Sequence, residues 1–267
     1  MKRAVLAVIL ASCLHAQTAR LPMEPLRDSG QSVTGAFEGW FKNADGSFSL
    51  LLGYFNRNLK QDLDIPVGPN NSITPGGPDR GQPTHFLAGR QWGTFVVTVP
   101  KDFGTGKLTW TIAANGQPTT VPLSLNPLWE ISPFSETGIG NTPPLVTFDT
   151  QAFIQGPKST LGLTLTAAVG KPLAISLRVT DDAKVGRGAI PPTTPPVTVT
   201  WTKFRGPGSV TFTKPVLDQG RASTTATFTD PGDYTLLLVA NDWSGDGGRG
   251  FQCCWTTAQV KVSVRAQ

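Results

Sequence analysis

Apolar and polar residues alternate at period two along most of this chain. Phe95, Val97 and Val99 line one face of a run whose other face is Thr94, Val96 and Thr98. Leu108, Trp110 and Ile112 repeat the pattern, and so do Leu173, Ile175, Leu177 and Val179. Further on come Val197, Val199 and Trp201, then Tyr234, Leu236, Leu238 and Ala240, then Ala258, Val260, Val262 and Val264. Period two is the signature of a strand with one face buried. No segment after residue 16 sustains a helical period, so the chain is predicted to be all-β.

Turn chemistry separates these runs. Asn43-Ala44-Asp45-Gly46 joins two early strands, and Asn115-Gly116 joins two later ones. Pro122 within its run predicts an edge strand. Residues 66–84 read as one long Pro/Gly/Asn loop. With 267 residues the chain is too long for one sandwich of roughly 100 residues. The Pro143-Pro144 pair favours an extended boundary. The predicted organisation is a β-sandwich at 31–135, a linker at 136–144 and a second sandwich at 145–265.

The stretch from Pro196 to Asp242 carries a family resemblance. Trp201 sits on an alternating strand, a Gly206-Pro207-Gly208 turn follows, and Pro231-Gly232-Asp233-Tyr234 leads into a long apolar strand. This order resembles the PKD-like domains of bacterial surface proteins. It implies an immunoglobulin-like sandwich with Trp201 in the core and Tyr234 as a tyrosine corner. The inter-sheet cysteine pair of antibody domains is absent, and residues 183–196 form a Pro/Gly insert outside the pattern. In the first half, G-Y-F-N-R-N at 53–58 and R-Q-W-G-T-F at 90–95 resemble secreted bacterial proteins, and that resemblance implies no activity. The expected fold is therefore two tandem immunoglobulin-like β-sandwich domains after an N-terminal signal peptide.

Residues 1–16 have the order of an export signal. Lys2 and Arg3 precede the apolar run Ala4–Leu14, and Leu14-His15-Ala16 offers a cleavage site before Gln17. Residues 17–30 then form a flexible lead. Leu10-Ala11-Ser12-Cys13 resembles a lipoprotein box, which makes Cys13 a candidate for lipidation and membrane tethering. The apolar run is shorter than the roughly 20 residues a spanning helix needs. Net charge is +5 for the whole chain, without a Lys/Arg cluster, and no nucleic-acid partner is expected.

Candidate chemistry is sparse. His15 leaves with the signal, so any triad would have to use His85, and neither a G-x-S-x-G elbow nor H-E-x-x-H is present. His85 is expected to be a solvated or backbone-bonded loop residue. Asp62 and Asp64 share one face at i, i+2 spacing, where glycosidase carboxylates or a solvated loop end both fit. Asp242, Ser244 and Asp246, followed by two glycines, echo a calcium loop, although Cys253 replaces the bidentate Glu of an EF-hand. A polar turn fits the same residues. Asp181 and Asp182 are expected at the same pole. Cys253 and Cys254 are neighbours whose side chains, on a strand, point to opposite faces and rarely pair with each other, although export permits a disulfide; a structural role is expected, with a redox or inter-chain role as the alternatives. Trp40, Phe41, Tyr54, Phe55 and Trp92 sit on alternating strands and are expected to pack in the core, with Trp92 the candidate for an exposed carbohydrate contact. The chain is thus expected to be an exported, non-catalytic binding or spacer module of the cell surface or periplasm. Its expected partner is an envelope protein or polysaccharide. Carbohydrate binding through the first domain is the alternative.

Overall fold

The computed structural model describes residues 27–149, 151–184, 197–242 and 253–266. The export signal, Cys13, Ser244, Asp246 and most of the 183–196 insert lie outside the described residues. In chain order the strands are β1 (Val33–Lys42), β2 (Phe48–Asn56), β3 (Leu63–Asp64), β4 (Asn71–Thr74), β5 (His85–Phe86), β6 (Gly89–Val99), β7 (Lys107–Ala114) and β8 (Gln117–Ser124). They continue with β9 (Leu145–Thr147), β10 (Leu161–Ala168), β11 (Leu173–Thr180), β12 (Val197–Arg205), β13 (Val210–Phe212), β14 (Val216–Asp218), β15 (Arg221–Phe228), β16 (Gly232–Asp242) and β17 (Trp255–Arg265). No helix among the described residues is long and apolar enough to cross a membrane.

In the first half, sheet β1-β2-β6 faces sheet β4-β7-β8, and β3 pairs with β5 as a short ribbon. Leu50, Leu52, Tyr54, Phe95 and Val97 meet Ile73, Trp110, Ile112 and Leu123 between the sheets. Asn115 and Gly116, both at positive φ, close the β7–β8 hairpin as their types predict. Pro122 lies on β8, which among the described residues pairs only with β7 and is an edge strand.

The expected loop at 66–84 is more ordered than its composition suggests. Asn71–Thr74 forms β4 and pairs with β7. The fully buried amide of Asn71 explains this. Its Nδ2 donates to the carbonyls of Ile65 (3.0 Å) and Pro83 (2.7 Å), and its Oδ1 accepts from Trp110 Nε1 (3.0 Å). A side chain satisfied this way substitutes for regular ladder bonds and fixes the loop.

The second half is an immunoglobulin-like sandwich. Sheet β10-β17-β16-β12 packs on a sheet in which β15 and β11 are central and β9, β13 and β14 are peripheral. β10 runs parallel to β17, and the other pairings in the two sheets are antiparallel. Trp201 is buried in the core between the sheets, stacked on Phe212 at 6.5 Å between centroids. Tyr234 Oη donates to Asp230 O (2.9 Å) and accepts from Gly208 N (3.0 Å), which is the tyrosine corner that the resemblance implied.

The two sandwiches share a packed seam. The outer face of β16 and the start of β17 bear on the first sheet of the first half. Leu237 and Phe204 belong to the core of the first half, and Trp255 packs with Phe41, Leu51 and Val96. Val96 N donates to Ser159 Oγ across the seam (2.9 Å). Residues at the end of 136–144 are pinned rather than exposed, with Asn141, Pro143 and Pro144 buried.

Candidate binding cleft at the junction of the sandwiches

A bulge in β12 builds the junction. The register with β16 shifts between Lys203 and Arg205, so Phe204 is the extra residue. Phe204 turns into the first core and meets Phe95 at 6.4 Å between centroids. Arg205 grips the 66–84 segment. Its guanidinium is bidentate to Asp79 (2.8 and 3.0 Å), and its Nε donates to Gln82 O (2.8 Å). The hydrogen-bonded guanidinium holds the Asp79 carboxyl below its usual range. Thr84 N donates to Phe204 O (3.1 Å), which places His85 at the mouth of the gap.

A cleft of ≈ 400 Å³ opens beside this joint. From the first half it is lined by Asp62, Asp64, His85 and Leu87, and from the second by Trp201, Thr202, Lys203, Ser209, Val210 and Phe212. The β3–β5 ribbon sets Asp64 opposite His85. His85 Nδ1 lies 2.8 Å from Asp64 Oδ1, and since a carboxylate only accepts, Nδ1 carries the proton. Nε2 then faces Asp62 Oδ2 at 3.9 Å, beyond hydrogen-bond range. Asp62 Oδ1 accepts from Ala88 N (2.7 Å). Lys203 Nζ crosses from the second half, 3.0 Å from Asp64 Oδ1, and donates to Gly208 O (2.9 Å). Its side chain is only 6% exposed, so a neighbouring carboxylate is what makes its burial tolerable.

His85 therefore departs from expectation. It is a strand residue bound to Asp64, not a solvated loop residue, and Asp62 and Asp64 gather around it. Ser209 lines the same cleft, but no hydroxyl among the described residues is hydrogen-bonded to His85, so a nucleophile–His–acid arrangement is not assembled. The sequence reading missed Lys203. Its signal was parity: Val197, Val199, Trp201 and Lys203 fall on one face of an alternating strand, and a lysine on a core face requires a counter-charge.

Of the proposed calcium ligands, only Asp242 is among the described residues. It is buried, and its Oδ2 accepts from Asn141 Nδ2 (2.6 Å). Asp181 and Asp182 lie at the same pole, as expected. Burial raises the Asp181 carboxyl to about 6, against the Ala183 N–H bond that lowers it, and the charges of Asp242 and Asp182 raise it further. Among the described residues no group of three His, Cys, Asp or Glu stands where it could hold a metal.

Cys253 and Cys254 are bonded to each other, contrary to the strand argument. The reason is position: both precede β17, which begins at Trp255, so the alternation of a ladder does not act on them. Both are buried, and Cys254 Sγ lies 3.5 Å from Asn141 O.

Trp40, Phe41 and Tyr54 are core residues, whereas Trp92 is 39% exposed. The Arg90 guanidinium lies over the Trp92 ring, 3.7 Å from its centroid, and also donates to Glu38 Oε1 (2.8 Å). One ring face is thus already occupied by a cation.

No family model and no curated protein matches the sequence. Solved structures give distant matches. Titin domain M7 is 14% identical, with 47% of this chain and 97% of that one covered and a TM-score of 0.28. The titin A168169 fragment is 12% identical over 87% of this chain and 99% of that one, with a TM-score of 0.27. Domains 4 and 5 of the S-layer protein SbsC are 12% identical over 60% and 65%, with a TM-score of 0.24. Scores this low carry no argument about function. The immunoglobulin-like assignment of the second half stands on its strand order and its tyrosine corner.

Proposed function

We propose that this chain is an exported, non-catalytic binding or spacer module of the bacterial cell surface or periplasm, with a PKD-like second half. The packed seam carries this reading. Trp255, Leu237 and Phe204 fill apolar sites on or within the first sandwich, and Arg205 and Lys203 add charged contacts. Two sandwiches joined in this way hold a fixed mutual orientation, which suits a rigid presenting unit better than a flexible tether. The Cys253–Cys254 bond supports an oxidising compartment, where disulfides persist.

The test is fractionation of the native cell followed by mass spectrometry of the recovered chain. Recovery in the envelope or outside the cell, with an N-terminus at Gln17 or a lipidated Cys13, is the expected result. A cytoplasmic chain retaining Met1 would refute the reading.

A further inference from the structure

We infer that the cleft at the sandwich junction binds a neutral saccharide, one or two units of a polyhydroxylated chain. This rests on the reading of the chain as an exported binding module and names its ligand class. The polar atoms are the first argument. Asp62 Oδ2 and His85 Nε2 face each other at 3.9 Å without bonding, and among the described residues neither atom has another hydrogen-bond partner. With Nδ1 bonded to Asp64, Nε2 is the ring nitrogen left beside the Asp62 carboxylate. Two adjacent polar atoms at this spacing suit two neighbouring hydroxyls, because a hydroxyl both donates and accepts.

Charge narrows the class. An anion would meet the Asp62 and Asp64 carboxylates. A cation would meet the buried Lys203 ammonium, already fixed between Asp64 and Gly208 O. A neutral ligand with many hydroxyls avoids both penalties, and Ser209 and Thr202 also line the cleft.

Shape agrees. Val210, Phe212 and Trp201 give the cleft an apolar lining beside its acids, and a sugar ring offers an apolar C–H face and a polar rim. The cleft volume of ≈ 400 Å³ falls within the range of small-ligand sites. The polar groups are held before any ligand arrives, because Asp64 orients His85 and Gly208 O anchors Lys203. This site is distinct from Trp92, and it takes walls from both sandwiches.

The experiment titrates the mature protein with methyl glucoside, methyl galactoside, N-acetylglucosamine, cellobiose and chitobiose up to tens of millimolar, followed by amide chemical shifts. Expected is saturable binding of at least one sugar, with shifts around His85 and Phe212. Asp62→Asn and Phe212→Ala should each weaken it by about tenfold or more, while amide spectra show both variants folded. Methylamine should not compete. The inference falls if no sugar in the set saturates, if methylamine binds instead, or if Trp92→Ala abolishes binding while Asp62→Asn leaves it intact. Any of these with an exported chain would remove the ligand class and leave the module reading standing.

Discussion

Trp255 packs against the bare backbone of Gly93, where a β-carbon would overlap the indole ring. Gly93 also has φ +47°, in the left-handed region that favours glycine. Gly93→Ala should therefore cost about 2–3 kcal/mol, from overlap and backbone strain together. Urea unfolding with an unchanged slope would measure it. A loss below about 0.5 kcal/mol would mean that the seam yields easily.

Removing the indole tests whether the seam couples the sandwiches. Trp255→Ala should cost about 3–5 kcal/mol, as large buried aromatics do. Calorimetry should then resolve two transitions where the parent chain shows one. A single unsplit transition in the variant would contradict the coupling.

The tyrosine corner and the core tryptophan predict separable losses. Tyr234→Phe strands the Gly208 N–H and should cost about 1–2 kcal/mol. Trp201→Ala empties a core site and should cost about 3–5 kcal/mol. Chemical denaturation distinguishes the two, and a tyrosine effect as large as the tryptophan one would be inconsistent with a lost hydrogen bond.

The Lys203–Asp64 pair should show the asymmetry of a buried charge. Asp64→Ala leaves the ammonium with only Gly208 O and should cost about 1–3 kcal/mol. Lys203→Met, which removes the charge and keeps the stem, should be near neutral or stabilising. The double variant should regain the part of that loss that comes from the stranded ammonium, with the His85–Asp64 bond still missing. Additive losses in the cycle would refute the pairing.

Asp181 should make stability fall with rising pH. Its folded value near 6 lies above the ordinary 3.8, so the native state binds the proton more tightly than the unfolded chain. Any gain from this group is present below about pH 3.8 and is lost as pH rises through 6. The residue is only half-buried, so the effect is on the order of 1 kcal/mol. Asp181→Asn should raise the melting temperature at pH 7.5 by a few degrees and have no such effect at acid pH. Equal shifts at both pH values would contradict an ionisation origin.

Most of the strand pattern was legible in the sequence because one-sided burial writes itself as alternation. Val97, Trp110, Ile175 and Val262 all point inward as their parity predicts. The seam was less visible because it buries the second face of strands already assigned. Its mark is local loss of alternation: Leu50-Leu51-Leu52 in β2, Phe95-Val96-Val97 in β6, and Leu236-Leu237-Leu238 in β16 are apolar on both sides. The cleft was hidden for another reason. Asp62, Asp64 and His85 are far in sequence from Lys203 and Phe212, and the packing of the two sandwiches brings them to one place.

The edge position of β8 bears on how copies of this chain behave when crowded together. Strand edges with open backbone donors recruit other strands, and pile-up into aggregates begins there. β8 carries Pro118 and Pro122, neither of which has an N–H to offer. A neighbouring chain that tried to extend the sheet along β8 would find two donors missing within five residues. Dense arrays of this chain should accordingly stay free of strand-to-strand fusion on that side, leaving side-chain surfaces, rather than backbone addition there, to make its contacts.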